Sequence, residues 1–192
     1  MTNNCSVENV QNNECSCDAK GARVCADGVR YVQKELALPP KKAVLSCEGG
    51  CLKGEIARVA ANILAYKLER NAAVRMCLGD AATGNSGFID LVKRAPEVIA
   101  VEGCPLKCGT EIMRHRIPDL KTTIIDASAL YKFDRNKYFE IFDMPRTEIE
   151  EHAAKVAEYI QKHFFNDCCD QKPSTSDNRC DKVSCSTSGC CE

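Results

Sequence analysis

The sequence predicts an α/β fold: a three-layer sandwich around a mostly parallel sheet of four or five strands, flanked by flexible Cys-rich N- and C-terminal tails. Three observations predict it. Short apolar runs of strand type at 43–45, 72–78, 97–101 and 122–125 alternate with segments of helical periodicity. Gly, Pro or Cys punctuates the junctions between them. Helix-length stretches separate the strands, so they pair in parallel through right-handed crossovers instead of as hairpins.

In chain order, residues 1–24 are rich in Asn, Ser and charge and carry little to bury, which reads as loose structure. The stretch 29–38 reads as a short helix stopped by Pro39 and Pro40. After the strand at 43–45, Gly49 and Gly50 give a turn beside Cys51. Leu52, Ile56, Val59, Ile63 and Leu64 then form the apolar stripe of a helix running to about residue 69. The strand at 72–78 leads into GDAATGNSG over 79–87. That stretch matches neither GxGxxG nor a P-loop and reads as a connecting loop, not an anion cradle. A short helix at 88–94 follows, with Ser86 as its candidate cap.

The strand at 97–101 ends in VEGCPLKCG, where Pro105 suits the first position of a helix over 106–116. Pro118 closes that helix, and the β-branched run at 122–125 forms the next strand. Residues 127–143 are irregular and aromatic. A closing helix spans 147–163, with a Thr147–Glu150 capping box and a stripe of Ile149, Ala153, Val156 and Ile160. From Asn166 onward there is no periodicity, only Ser, Thr, Asp and six cysteines, which reads as a flexible tail. The chain thus divides into an N-terminal extension with cysteines (1–40), an α/β domain (41–163) and a Cys-rich tail (164–192).

Cysteine is the compositional anomaly, with 15 in 192 residues. The opening residues are polar, unlike a signal peptide, and no apolar run is long enough to span a bilayer. A cytoplasmic location is therefore expected, where thiols stay reduced and clustered cysteines serve metals or redox chemistry. A formal net charge of −1, no block of one sign and no Trp argue against nucleic acid and against an acidic membrane.

Five cysteines sit at expected strand ends. Cys47 and Cys51 form a C-x3-C in SCEGGC, Cys77 follows a strand in MCLGD, and Cys104 and Cys108 form a second C-x3-C. Strand C-termini of a parallel sheet share one edge, so all five are expected to converge there. A lone cysteine is more often a small buried apolar residue. That explanation fits five beside glycines at strand ends much less well. Zinc takes four ligands and suits thiolate sulfur, leaving one of the five as a spare or reactive thiol. The histidines, His115, His152 and His163, all fall on helices away from the strand ends and read as solvated.

SCEGGCLKGEIAR, MCLGD and VEGCPLKC together resemble the DGC-domain family of bacterial and archaeal proteins, over roughly residues 41–163. That family is described as zinc-binding from its chelating cysteines. The resemblance implies Cys47, Cys51, Cys77, Cys104 and Cys108 as candidate ligands. Glu102 stands where the family pattern has Asp, one methylene longer with the same charge. The expected function is a thiolate metal-site protein holding zinc, or another soft metal ion, in soft-metal or metalloid handling. The alternative is a cysteine-dependent enzyme of sulfur, redox or organometal chemistry, with Cys51 or Cys108 as nucleophile. Apart from the metal ion, the sequence points to no partner.

Overall fold

The computed structural model describes residues 16–17, 23–132, 134, 136 and 141–165. The tail expected at 166–192 and most of the loose segment expected at 1–24 lie outside the described residues. Within the latter, β1 (Ser16–Cys17) and β2 (Arg23–Val24) form an antiparallel pair. Two residues per strand are too few to leave any periodicity in the sequence.

The main sheet has four parallel strands: β3 (Lys42–Ser46), β4 (Ala73–Arg75), β5 (Val98–Glu102) and β6 (Thr123–Asp126). Their spatial order is β4-β3-β5-β6. The first crossover leads from β3 outward to β4. The second returns past β3 to β5, and the third continues to β6. Reversal of direction puts the connecting helices on opposite faces when every crossover is right-handed. Accordingly α2 (Leu52–Ile63) lies on one face, joined there by the closing helix α6 (Arg146–Phe164). The other face carries α1 (Ala26–Leu36), α3 (Leu78–Thr83), α4 (Phe88–Arg94) and α5 (Cys108–Arg114).

Strand alternation divides the core between these layers. Val44, Ile99 and Val101 join Leu52, Ile56, Ala60, Val156 and Ile160 under α2 and α6. Ala43, Leu45, Val98 and Ala100 join Val32, Leu78, Phe88, Leu91 and Met113 on the other side. A sheet covered on both faces explains why its strands read as continuous apolar runs. α1 packs into this second layer through buried Val32, and the Tyr31 hydroxyl donates to the Arg75 carbonyl at 3.2 Å. The packed unit therefore includes a helix from the segment assigned to the N-terminal extension.

Several local expectations are corrected. The helix expected over 52–69 is α-helical only to Ile63, and Leu64–Leu68 is a π turn closed by Glu69 N–H to the Leu64 carbonyl at 2.8 Å. The expected loop 79–87 is helical in its first half, as α3. Ser86 does not cap α4; Gly87 does, at φ +94. The Ser86 hydroxyl instead accepts the Cys25 amide and donates to Asp80 Oδ1, both at 2.8 Å, tying the start of α1 to α3. No capping box forms on α6, which begins at Arg146 after Pro145 with no side-chain cap. Arg146 instead pairs with Glu150 at 2.9 Å and with the buried Glu55 of α2 at 2.6 Å. Among the described residues, no helix is long and apolar enough to cross a membrane.

Candidate metal centre

The two C-x3-C loops flank the point where the chain reverses direction across the sheet. Cys47 directly follows β3, and its amide donates to the Val101 carbonyl of β5 at 3.1 Å, prolonging the ladder by one bond. Cys51 is the N-cap of α2. Cys104 lies just past β5, and Cys108 opens α5. Because β3 and β5 are neighbours, the loops meet at the crevice where ligands of open α/β sheets bind.

Three glycines make that approach possible. A Cβ on Gly103 would stand 2.6 Å from the Lys53 carbonyl oxygen and 2.7 Å from the Gly54 nitrogen. One on Gly54 would stand 2.9 Å from Cys47 Sγ, and one on Gly109 2.9 Å from the Ser46 carbonyl oxygen. A side chain at Gly103 or Gly109 would push the second loop away from α2 and the end of β3, and one at Gly54 would push α2 away from the Cys47 loop.

The second loop departs from the expected helix over 106–116. Residues 104–107 form a hydrogen-bonded turn, Lys107 N–H to the Cys104 carbonyl at 3.1 Å, and Lys107 adopts left-handed φ +56. The helix starts only at Cys108, because Glu102 decides where its free amides are met. Glu102 is 1% exposed. Its carboxylate accepts Gly109 N–H at 3.2 Å, Thr110 N–H at 2.6 Å and the Thr110 hydroxyl at 2.7 Å. A carboxylate at a helix start is favoured both as a cap and by the helix dipole. Cys104 and Cys108 are therefore the two ends of one turn, not neighbours along a helix.

All six cysteines of the packed unit are free thiols; Cys108 and Cys77 are exposed, the others half-buried. Burial pushes the Cys47 thiol above its ordinary pKa; nearby Cys108, Glu102 and Cys51 push it further, and the Gly49 N–H opposes them. Cys47 thus lies within electrostatic reach of Cys51, Cys108 and Glu102, and Tyr131 within reach of Cys51 and Cys104. Burial raises the Tyr131 phenol pKa first, then Asp126, Cys51 and Cys104. Cys77 stands apart from this group. It is the N-cap of α3, at the end of the outer strand β4, and lines a separate cavity with Cys25.

His152 is not the solvated residue expected. Its side chain is 13% exposed, its ring stacks on Tyr131 with centroids 4.8 Å apart, and its Nε2 lies 3.6 Å from Glu148. The signal was present in the sequence, since position 152 falls three after Ile149 and four before Val156 on the apolar stripe. His115 and His163 are exposed as expected.

The donor chemistry suits a soft ion: four thiols on two adjoining loops, with the Glu102 carboxylate already engaged at the start of α5. They are not assembled into a cage. Among the described residues, no group of three or more His, Cys, Asp or Glu is arranged to hold a metal ion.

The DGC domain is matched over residues 43–156, from β3 through most of α6. No curated protein and no solved structure matches the chain. Within the match, the Glu102 side chain spans from β5 to the first turn of α5.

Proposed function

The chain belongs to the DGC-domain family, and from that premise we propose that it is a thiolate metal-binding protein. Cys47, Cys51, Cys104 and Cys108 hold zinc, or another soft ion, between the ends of β3 and β5. The single observation that supports this most is the meeting of two C-x3-C loops at the sheet's reversal point. Cys77 falls outside this set because it follows the outer strand β4 and caps α3, away from the β3–β5 crevice.

Zinc bound by four thiolates is a closed, structural type of site, and its binding energy stabilises the fold. The thiols are not preassembled, so binding orders the two loops, and Glu102 and the glycines limit how much ordering is needed. Cys47, with its raised pKa, must lose its proton on binding. A reducing compartment such as the cytoplasm keeps the thiols available. The role that fits is capture or transfer of soft metals or metalloids.

Metal analysis of protein purified without added metal tests the reading. The expected result is about one equivalent of zinc per chain, with the four loop thiols protected from alkylation and Cys77 reactive. Less than about a tenth of an equivalent of any metal, with every thiol alkylated at once, would overturn it.

A cysteine-dependent enzyme is the second reading, favoured by one observation: Cys108 is exposed at the first residue of α5. Alkylation rate against pH separates the two. An enzyme of this type requires one loop thiol that reacts well below the free-thiol pKa of about 8.5 in metal-free protein.

A further inference from the structure

On the other flank of β3, a cavity of about 400 Å³ opens beside α1, α2 and the start of α3. This lies within the usual range of small-molecule sites. Arg75, the last residue of β4, forms part of its wall and is only 8% exposed. Every polar contact of its guanidinium is to a neutral oxygen. Nε donates to Asn62 Oδ1 at 3.0 Å, Nη1 to the carbonyls of Val44 (3.3 Å) and Met76, and Nη2 to the Ser46 hydroxyl. Among the described residues Arg75 forms no ion pair. A guanidinium has five N–H groups, so one on Nη2 remains for a ligand. Glu48 acts on this charge only from beyond ion-pair distance. A buried cation with no carboxylate in contact is unfavourable, and a bound carboxylate would reduce that penalty. The nearby Arg58 does not serve the same purpose, because Glu55 already holds it at 2.9 Å.

A plain anion does not suit the rest of the wall. Glu48 and Asp80 also line the cavity. Neither is in an ion pair among the described residues, and Asp80 Oδ2 has no hydrogen-bond partner there. These carboxylates would repel a simple anion but attract an ammonium group. The remaining wall includes Met76 and the stacked pair Tyr31 and Phe88, with ring centroids 5.8 Å apart. Asp27 lines the cavity too but is held by Arg30. One cation and two carboxylates outside ion pairs, with an apolar wall in a small cavity, describe the complement of a zwitterion with an apolar side chain.

We propose that this cavity binds a free α-amino acid with an apolar side chain. Its carboxylate meets Arg75, its ammonium faces Glu48 with the buried Asp80 carboxylate adding to the negative field, and its side chain lies against Tyr31, Met76 and Phe88. The site adjoins the first thiol loop through Glu48 but uses none of the four thiols proposed to hold metal.

Calorimetric titration of the full-length chain with L-leucine, L-methionine and L-phenylalanine tests the proposal. At least one should bind saturably at one site, equally well with added zinc and after chelation. N-acetylation or amidation of that ligand removes one charge and should weaken binding at least about tenfold. Glu48→Gln, at an exposed position that leaves folding intact, should weaken it several-fold. Arg75→Lys should weaken it about tenfold or more, since a lysine cannot reproduce the planar fork; if that variant misfolds, the ligand derivatives on native protein still decide. Absence of saturable binding by all three amino acids at millimolar concentration overturns the proposal. So does equal binding of the charge-blocked derivatives. Binding seen only with added zinc would place the ligand at the thiol loops and overturn it as well.

Discussion

The Glu102 carboxylate receives both the amide of Thr110, at 2.6 Å, and its hydroxyl, at 2.7 Å, across eight residues of chain. This contact fixes where α5 begins, and therefore where Cys108 stands relative to Cys104. It ties the end of a buried strand to a thiol that the proposed metal site requires.

Glu102→Ala should accordingly destabilise the protein by about 3 kcal/mol, since it leaves several buried donors without an acceptor. Thr110→Val, which removes only the hydroxyl, should cost about 1 kcal/mol. Urea denaturation of reduced, metal-free protein measures both. A Glu102→Ala midpoint equal to wild type would mean that the α5 start is held by something else.

Gly103→Ala should be more damaging than a surface change of the same size. The added methyl would meet backbone of Lys53 and Gly54, which cannot turn aside as a side chain could. A loss of about 2–3 kcal/mol is expected. Metal uptake should fall with it, because the strain lies between the two thiol loops. Paired thermal melts and zinc titrations would show whether the two effects move together.

The raised pKa of Cys47 gives metal-free protein a defined pH dependence. The folded state holds this proton more tightly than the unfolded state. Its contribution is therefore fully present below the ordinary thiol pKa and is lost as pH rises through the higher folded value. Stability of reduced apo-protein should decline above about pH 9, and Cys47→Ser should lessen that decline. Zinc uptake near neutral pH should release protons, measurable in a weakly buffered titration.

Serine substitution at Cys47, Cys51, Cys104 or Cys108 should each lower zinc affinity by more than about a hundredfold, beyond what changes around ligands produce. The thermal midpoint of the zinc-loaded protein should fall as well. Cys77→Ser should leave both nearly unchanged. Loss of zinc at Cys77→Ser equal to that at Cys104→Ser would require the five thiols to act as one cluster.

Deleting residues 166–192 removes six cysteines and a sequence poor in apolar residues. The thermal midpoint should stay nearly constant, since so few apolar residues in this segment could join a core. Capacity for added Hg(II) or Cu(I) should fall. An unfolded truncated protein would make the tail part of the core.

Much of the architecture was legible because it rests on local patterning. Apolar runs of strand length, separated by helical stripes, specified four parallel strands and two helical layers. The placement of both C-x3-C motifs at strand ends was legible for the same reason, since chain direction alone puts those ends on one edge. Pro105 and Ser86 misled because each looked like a helix start in isolation. In the folded chain Glu102 and Gly87 set those starts, one through a contact seven and eight residues away and the other through a backbone conformation.

Strand order was not in the sequence. Local periodicity says that strands exist but not which become neighbours; that is settled by crossovers and by how the layers pack. Placing β3 between β4 and β5 brings Cys47 and Cys51 against the Cys104 loop. It also sends Cys77 outward, to share a cavity with Cys25 and the buried Arg75. Tyr131 and His152, 21 residues apart, stack beside the thiol loops only because α6 folds back over α2. Local patterning places the sulfur-bearing residues at the sheet edge; the strand order sets which of their loops adjoin, because adjacency across a parallel sheet is a non-local property of the packed chain.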